Sequence, residues 1–363
     1  MKYLIIILLL CFWACRERGA KLDVPSFQVM SDLKKGKLSD YIDSVQYVPL
    51  ETTDSSLVGS ISRVVVTNSR IFVGDRIANG ILVFDRQGRF LNKINHQGRG
   101  PEEYSRLYDF DVVEKDSLVY FYVGGKFQVY GYNGEYRHTV LIQNNQLIPR
   151  MIAVSSNEIY LYMNYSACEE AQAYNTIFID KQGYAEQSMS PYSNKIAGHI
   201  SYSPRLYFRY YNNTLVYFNN FENIIYERGN GNSRPIFLLD FSQYELPEID
   251  EENVMSLQEN RFRDYALLYN IALVNNKYYA LFMINEKRYM SVISLSDCSV
   301  STVNLSDDLE YDISLTNHFL DYVCVADNCF VTYYDWSDTP ELFSKLNISE
   351  DNNPVVVFYH VKE

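Results

Sequence analysis

The residues able to do chemistry in this chain are dispersed, and their spacing excludes most standard reactions. Gln97-Gly98-Arg99-Gly100-Pro101 carries the glycines of a phosphate-cradling loop. A nucleotide loop also needs a following Lys-Ser/Thr and a helix, and a dinucleotide fingerprint needs a βαβ setting. Neither is present, so these glycines are read as turn residues of a tight connection. The five histidines, His96, His138, His199, His318 and His360, include no pair at metal-ligand spacing. Asp307-Asp308 with Glu310 and Asp312 lacks the alternating oxygen ligands and central Gly of a calcium loop, so the acids are read as solvated. No metal and no cofactor is expected. No Gly-x-Ser-x-Gly elbow marks a nucleophilic serine, and paired carboxylates for glycoside hydrolysis would have to come from distant segments. Beyond the N-terminal stretch lie Cys168, Cys298, Cys324 and Cys329, without a C-x-x-C pair. Cys324 and Cys329 could face each other across a hairpin as a disulfide, or remain buried thiols.

The elements that must position these groups are β-strands. Of 363 residues, 33 are Tyr and 20 are Phe, rings that suit a pleated, half-buried surface. Hydrophobic residues at 47% and charged residues at 21% describe an ordinary globular chain rather than a disordered one. With 32 Lys+Arg against 45 Asp+Glu, the net charge is −13. An acidic chain without a basic run lacks the footprint for nucleic acid.

Met1-Lys2 is followed by an apolar run to Ala14 and then by Cys15-Arg16-Glu17-Arg18. This is the pattern of a secretory signal, too short for a comfortable membrane span. Ala14-Cys15 is similar to the end of a bacterial lipobox, although Phe12 and Trp13 are bulkier than the usual upstream residues. Lipidation of Cys15 is therefore expected, an ordinary cleaved signal or an uncleaved anchor being the other readings. The expected organisation is a signal peptide over 1–14, a lipidated tether over 15–43 and one domain over 44–363.

That domain is a repeat. Val83-Phe84-Asp85-Arg86-Gln87-Gly88-Arg89-Phe90 recurs as Val129-Tyr130-Gly131-Tyr132-Asn133-Gly134-Glu135-Tyr136, then as Phe178-Ile179-Asp180-Lys181-Gln182-Gly183-Tyr184, the glycines 46 and then 49 residues apart. Ahead of each copy lie two short strands around an Asn/Asp/Ser turn, and this hairpin signal occurs six times, the fourth over 206–218 and the last over 322–333. Six four-stranded antiparallel meanders arranged radially make an all-β, six-bladed β-propeller. The last unit has room for three strands, and the orphan strand 44–50 supplies its fourth, closing the ring. Pro49 is tolerated there because an edge strand can spare a donor. Two helical interruptions are expected, over 247–262 and 337–346.

Tyr47-Val48-Pro49-Leu50-Glu51-Thr52, Ile81-Leu82-Val83-Phe84-Asp85-Arg86-Gln87-Gly88, the loop Gln97–Tyr104 and Asn353-Pro354-Val355-Val356-Val357-Phe358-Tyr359 are the specific pieces of a resemblance. The chain resembles the six-bladed β-propeller lipoprotein family common in Gram-negative gut bacteria, over roughly residues 44–363. The resemblance implies the fold and an envelope lipoprotein, in the outer membrane and facing either the periplasm or the surface. It implies no reaction.

In such a ring the segments entering the innermost strands surround the channel mouth. Here they carry Arg63, Arg106, Arg150, Arg205 and His318. Converging arginines would form a positive pocket suited to a carboxylate or phosphate ligand, with Arg106, Arg150, Arg205 and His318 as its binding residues. The competing reading is that each Arg pairs with a neighbouring blade or faces water. The expected function is a non-catalytic binding or scaffold module, monomeric and held to the membrane by its lipid, with a glycan, peptide or protein ligand. The alternative is a propeller lyase or glycosidase acting on acidic polysaccharide, with groups donated from several blades.

Overall fold

The computed structural model describes residues 23–363 apart from 32, 144–146, 167–171, 194, 198, 201–207, 212, 261 and 317–323. Short β-branched and aromatic runs pair with their sequence neighbours into six blades, whose inner strands contact one another around a common axis. Blade 1 is Ile61–Val66, Arg70–Asp75, Gly80–Asp85 and Phe90–Ile94. Blade 2 is Asp109–Val113, Leu118–Tyr122, Lys126–Gly131 and Tyr136–Leu141. Blade 3 is Met151–Val154, Glu158–Tyr162, Gln172–Asp180 and Ala185–Ser193. Blade 4 contains Thr214–Tyr217, Ile224–Gly229 and Asn232–Asp240. Blade 5 is Leu267–Val274, Lys277–Ile284, Lys287–Ser294 and Ser299–Asn304. Blade 6 joins Cys324–Ala326, Cys329–Tyr334 and Val355–Val361 to Ile42–Pro49. The chain is a six-bladed β-propeller.

The inner strands of a blade are covered on both faces and are buried almost throughout, whereas an outer strand such as Tyr136–Leu141 is mostly exposed. This is why inner strands read as continuous apolar runs and outer ones as polar. The repeated glycines do more than allow a positive φ, which is +81° at Gly88 and +92° at Gly183. A Cβ at Gly88 would lie 2.3 Å from the carbonyl oxygen of Pro49, and one at Gly183 would lie 1.8 Å from that of Leu141. Each turn thus presses its backbone onto the outer strand of the preceding blade.

Closure follows the sequence expectation. Ile42–Pro49 is antiparallel to Val355–Val361, with Val48 opposite Val356 and Pro49 opposite Val355 at the strand end. The expected tether is different from residue 23 onward. Ser26–Gln28 lies parallel to the outer strand of blade 4, Leu33–Lys34 parallel to that of blade 5, and Gly36–Lys37 parallel to Leu309–Glu310. Phe27, Val29 and Leu38 are buried, Phe27 against the edge of Phe237. Lys35 and Lys37 face Asp308 and Glu310. The polar residues that suggested a tether are the solvent side of a strap, and three apolar residues among them supply the adhesion. Residues 1–14 and Cys15 lie outside the described residues.

Two smaller expectations are corrected, and the open reading of Cys324 and Cys329 is decided in favour of buried thiols. Within the expected inner strand 206–211 of blade 4, residues 206 and 207 lie outside the described residues, 208–210 form no ladder, and Tyr211 bridges Thr214. The two helices are short: α1 is Val254–Glu259 and α2 is Pro340–Lys345. In the blade 6 hairpin Cys324 pairs with Val331 and Cys329 with Ala326, so the thiols are offset, and both are free and buried. Burial raises each to about 11, which leaves them protonated and unreactive.

Candidate functional site

The channel is closed at its centre by charge. Asp109 and Asp111 stand two apart on the inner strand of blade 2 and therefore point to the same side. Asp109 accepts the Ile152 N–H (2.9 Å) and Asp111 the Val154 N–H (2.7 Å), both from the inner strand of blade 3. Arg63 of blade 1, 2% exposed, donates to Asp109 (3.0 Å), to the Ile152 carbonyl (2.9 Å) and to the Phe208 carbonyl (3.3 Å). Arg209 reaches back from the blade 4 side, donating to the carbonyls of Val66 and Val112, with its Nε 3.5 Å from Asp111. Two arginines and two aspartates thus tie the inner segments of blades 1 to 4 across the axis. Burial pushes the Asp109 carboxyl above its usual range, and the Arg63 guanidinium opposes that rise.

Outside this plug, at the end of the channel where the first turn of each blade lies, a funnel of about 600 Å³ opens. Its wall comprises Asn68, Glu114, Ser156, Tyr211 and Asp327, with Arg209 among the lining residues. Glu114 accepts the Asn68 N–H (2.8 Å) and joins blades 1 and 2 at the rim. Tyr210 is held by Glu158 (2.7 Å), which also receives Arg228, itself 1% exposed and stacked 3.7 Å above Phe178. Its neighbour Tyr211 stays 46% exposed in the wall. The arrangement offers amide and hydroxyl groups, the exposed Tyr211 ring and the Lys115 ammonium, groups that bind and orient.

The sequence-nominated residues divide. Arg63 follows the competing reading, ion-paired to the next blade. Arg106 and Arg150 are exposed just before the inner strands of blades 2 and 3, and neither is a lining residue of the funnel. Arg106 stacks on Tyr108 (5.1 Å). Arg205 and His318 lie outside the described residues. Arg209, between Phe208 and Tyr210, is not among the residues nominated from sequence. The legible signal for the plug was the acid pair Asp109 and Asp111 on one side of an otherwise apolar inner strand. The described histidines are apart: His96 stacks on Tyr130 and meets the Gly134 carbonyl, while His360 lies beside Cys329. Among the described residues no group of three or more His, Cys, Asp or Glu side chains is placed to hold a metal ion.

Lys181, in the third copy of the repeat turn, gives a pH test of the packing between blades. Its ammonium lies 4.1 Å from the Tyr120 ring centroid and finds no hydrogen-bond partner among the described residues. Burial lowers its pKa to about 7, against the pull of Asp116, Asp111 and Glu158. Because the folded value lies below the unfolded one, the penalty is complete below about pH 7 and fades as pH rises toward 10.5. Lys181→Met is expected to stabilise the protein by about 1–3 kcal/mol at pH 6.5, with the gain shrinking by pH 9.5. Urea unfolding of both proteins at the two pH values checks this, and a pH-independent difference contradicts it.

The fold has solved counterparts. A candidate exported protein of Bacteroides fragilis superposes with a TM-score of 0.70 at 16% identity, covering 94% of this chain and 100% of that one. A member of the DUF4221 family from Bacteroides vulgatus superposes at 0.53 with 12% identity, covering 88% and 97%. At these identities the likeness is one of fold. No curated protein matches the chain. The profile of a domain of unknown function matches residues 24–360, a span that takes in the strap as well as all six blades, and the chain belongs to that family, DUF4934.

Proposed function

We propose that this protein is an envelope-anchored binding or scaffold module that takes its ligand in the funnel. The observation that carries the reading is the combination of a plugged channel and an open polar funnel. The charged groups at the axis are spent on one another and on blade backbones, while the wall above them presents amide, hydroxyl and aromatic surface together with the exposed Lys115. A volume of about 600 Å³ suits a small ligand or the end of a chain. Export is supported by the signal-like start and by the exported-protein counterpart in B. fragilis. Anchoring rests on Cys15, so fatty-acid labelling should mark the wild type and not Cys15→Ser.

The ligand test is thermal shift and calorimetry against neutral oligosaccharides, acidic oligosaccharides and short peptides. A ligand at 100 times its dissociation constant should add about 2.7 kcal/mol of stability. Asn68→Trp and Ser156→Trp fill the funnel from exposed or half-buried turns and should abolish that gain without changing the unliganded midpoint. Binding that survives both variants would move the site elsewhere, and conversion of a bound oligosaccharide to product would make the protein an enzyme.

A further inference from the structure

An inner strand pairs with its blade along one edge and faces the channel along the other, where its main-chain groups need another partner. Over blades 1 to 3 the plug supplies partners. Asp109 and Asp111 accept the Ile152, Val154 and Val112 N–H groups, while Arg63 and Arg209 donate to the carbonyls of Ile152, Val66 and Val112. In blade 5 the Asn270 side chain accepts the Ile271 N–H (2.9 Å).

Blade 4 differs. Thr214 exchanges both main-chain bonds with Tyr211, at 2.8 and 2.9 Å, and residues 208–210 then leave the sheet. Its fourth strand is the strap segment Ser26–Gln28, on the outer side. Antiparallel pairing alternates, so Val216, two residues after Thr214, turns its N–H and C=O toward the same inner edge. Neither group has a hydrogen-bond partner among the described residues.

Beside this edge lies a side cavity of about 70 Å³ that shares Arg209, Tyr210, Tyr211 and Val325 with the funnel. Phe208, Val216, Ile271, Leu273 and Val325 make its lining mostly apolar. Leu273 stands two residues after the capped Ile271, so its main chain faces the same space from blade 5.

We propose that the funnel admits an extended peptide whose end adds to the Val216 edge, with one aliphatic side chain in the side cavity. This rests on the funnel being the ligand site and narrows the ligand to a peptide. A second main chain is the ligand that answers an N–H and a C=O at strand spacing, and the pocket beside them selects the side chain. A cavity of about 70 Å³ holds one side chain of valine or leucine size. At the entry Glu114 and Lys115 are opposite in sign and Asp327 is paired with Arg86 (3.2 Å), so a neutral chain is admitted as readily as a charged one.

Calorimetry of residues 16–363 with the blocked peptides acetyl-Ser-Thr-Xaa-Thr-Ser-amide tests this. Valine or leucine at Xaa should bind at least about tenfold more tightly than glycine, and methylating the three central main-chain nitrogens should abolish binding. Val216→Pro removes an N–H that the fold does not use, and should weaken the leucine peptide at least about tenfold with unchanged circular dichroism. Leu273→Trp fills the cavity from a half-buried wall and should erase the preference for leucine over glycine. Amide exchange over 214–217 of the unaltered protein should slow when the leucine peptide is added. Peptides that do not bind, binding indifferent to Val216→Pro, or exchange unmoved by bound peptide would each overturn the proposal. Oligosaccharide binding lost in Ser156→Trp and kept in Val216→Pro would also overturn it, while leaving the funnel as the ligand site. Peptide binding lost in Val216→Pro and kept in Ser156→Trp would support the edge and overturn the funnel reading.

Discussion

Deletion of residues 1–51 should yield a protein that aggregates or melts far below one lacking residues 1–22. The shorter deletion removes none of the described residues. The longer one removes Ile42–Pro49, leaving the whole of Val355–Val361 as a bare edge and opening the ring. A third protein lacking 1–40 separates closure from adhesion. It keeps the closing strand but loses the buried Phe27, Val29 and Leu38, each contributing about 1.5–3 kcal/mol. The expected order of melting is 1–22 above 1–40 above 1–51, read by circular dichroism with light scattering. Equal melting of the last two would show that the ring does not depend on its closing strand.

Asp111→Ala should have the largest single-residue effect in the molecule. Asp111 is wholly buried, lies 3.8 Å from Arg63 and 3.5 Å from Arg209, and accepts the Val154 N–H. Its loss leaves a surplus buried cation and an unsatisfied backbone donor, at a cost of about 3–5 kcal/mol in urea unfolding. Asp111→Leu combined with Arg209→Met removes charge in balance and should recover the part of that loss due to the surplus cation, while the Val154 N–H stays unsatisfied. A loss within about 1 kcal/mol for Asp111→Ala would show that the plug is not a stabilising element.

What was legible in the sequence was whatever depends on neighbours along the chain. Turn glycines, Asn/Asp hairpins and apolar inner strands are local, and they located the blades. The closing strand was legible by subtraction, since one unit lacked a strand and one strand lacked a unit. The strap was not. Lys34-Lys35-Gly36-Lys37 reads as solvated chain, and only the edges of blades 4 and 5, more than 200 residues away in sequence, make burial of Phe27 and Val29 favourable. The channel was half legible. Geometry required the inner segments to converge, but which arginine meets which carboxylate depends on small rotations between blades that no spacing encodes. Arg63 was counted among the arginines at the channel mouth and is a cross-tie. Arg209 was not among the residues nominated from sequence and is its counterpart.

The pairing of Ile42–Pro49 with Val355–Val361 also imposes an order in time. Strand 42–49 must wait for residues 355–361, and until then the ring has two unsealed edges. Folding is therefore slow relative to a helical domain of this length, and the open interval is the period of greatest exposure to proteases and to other open chains. A chain lacking residues 355–361 keeps its edges bare however well its first five blades have formed. Closure thereby makes the bare edge a property of the unfinished ring alone, one that the closed ring hides.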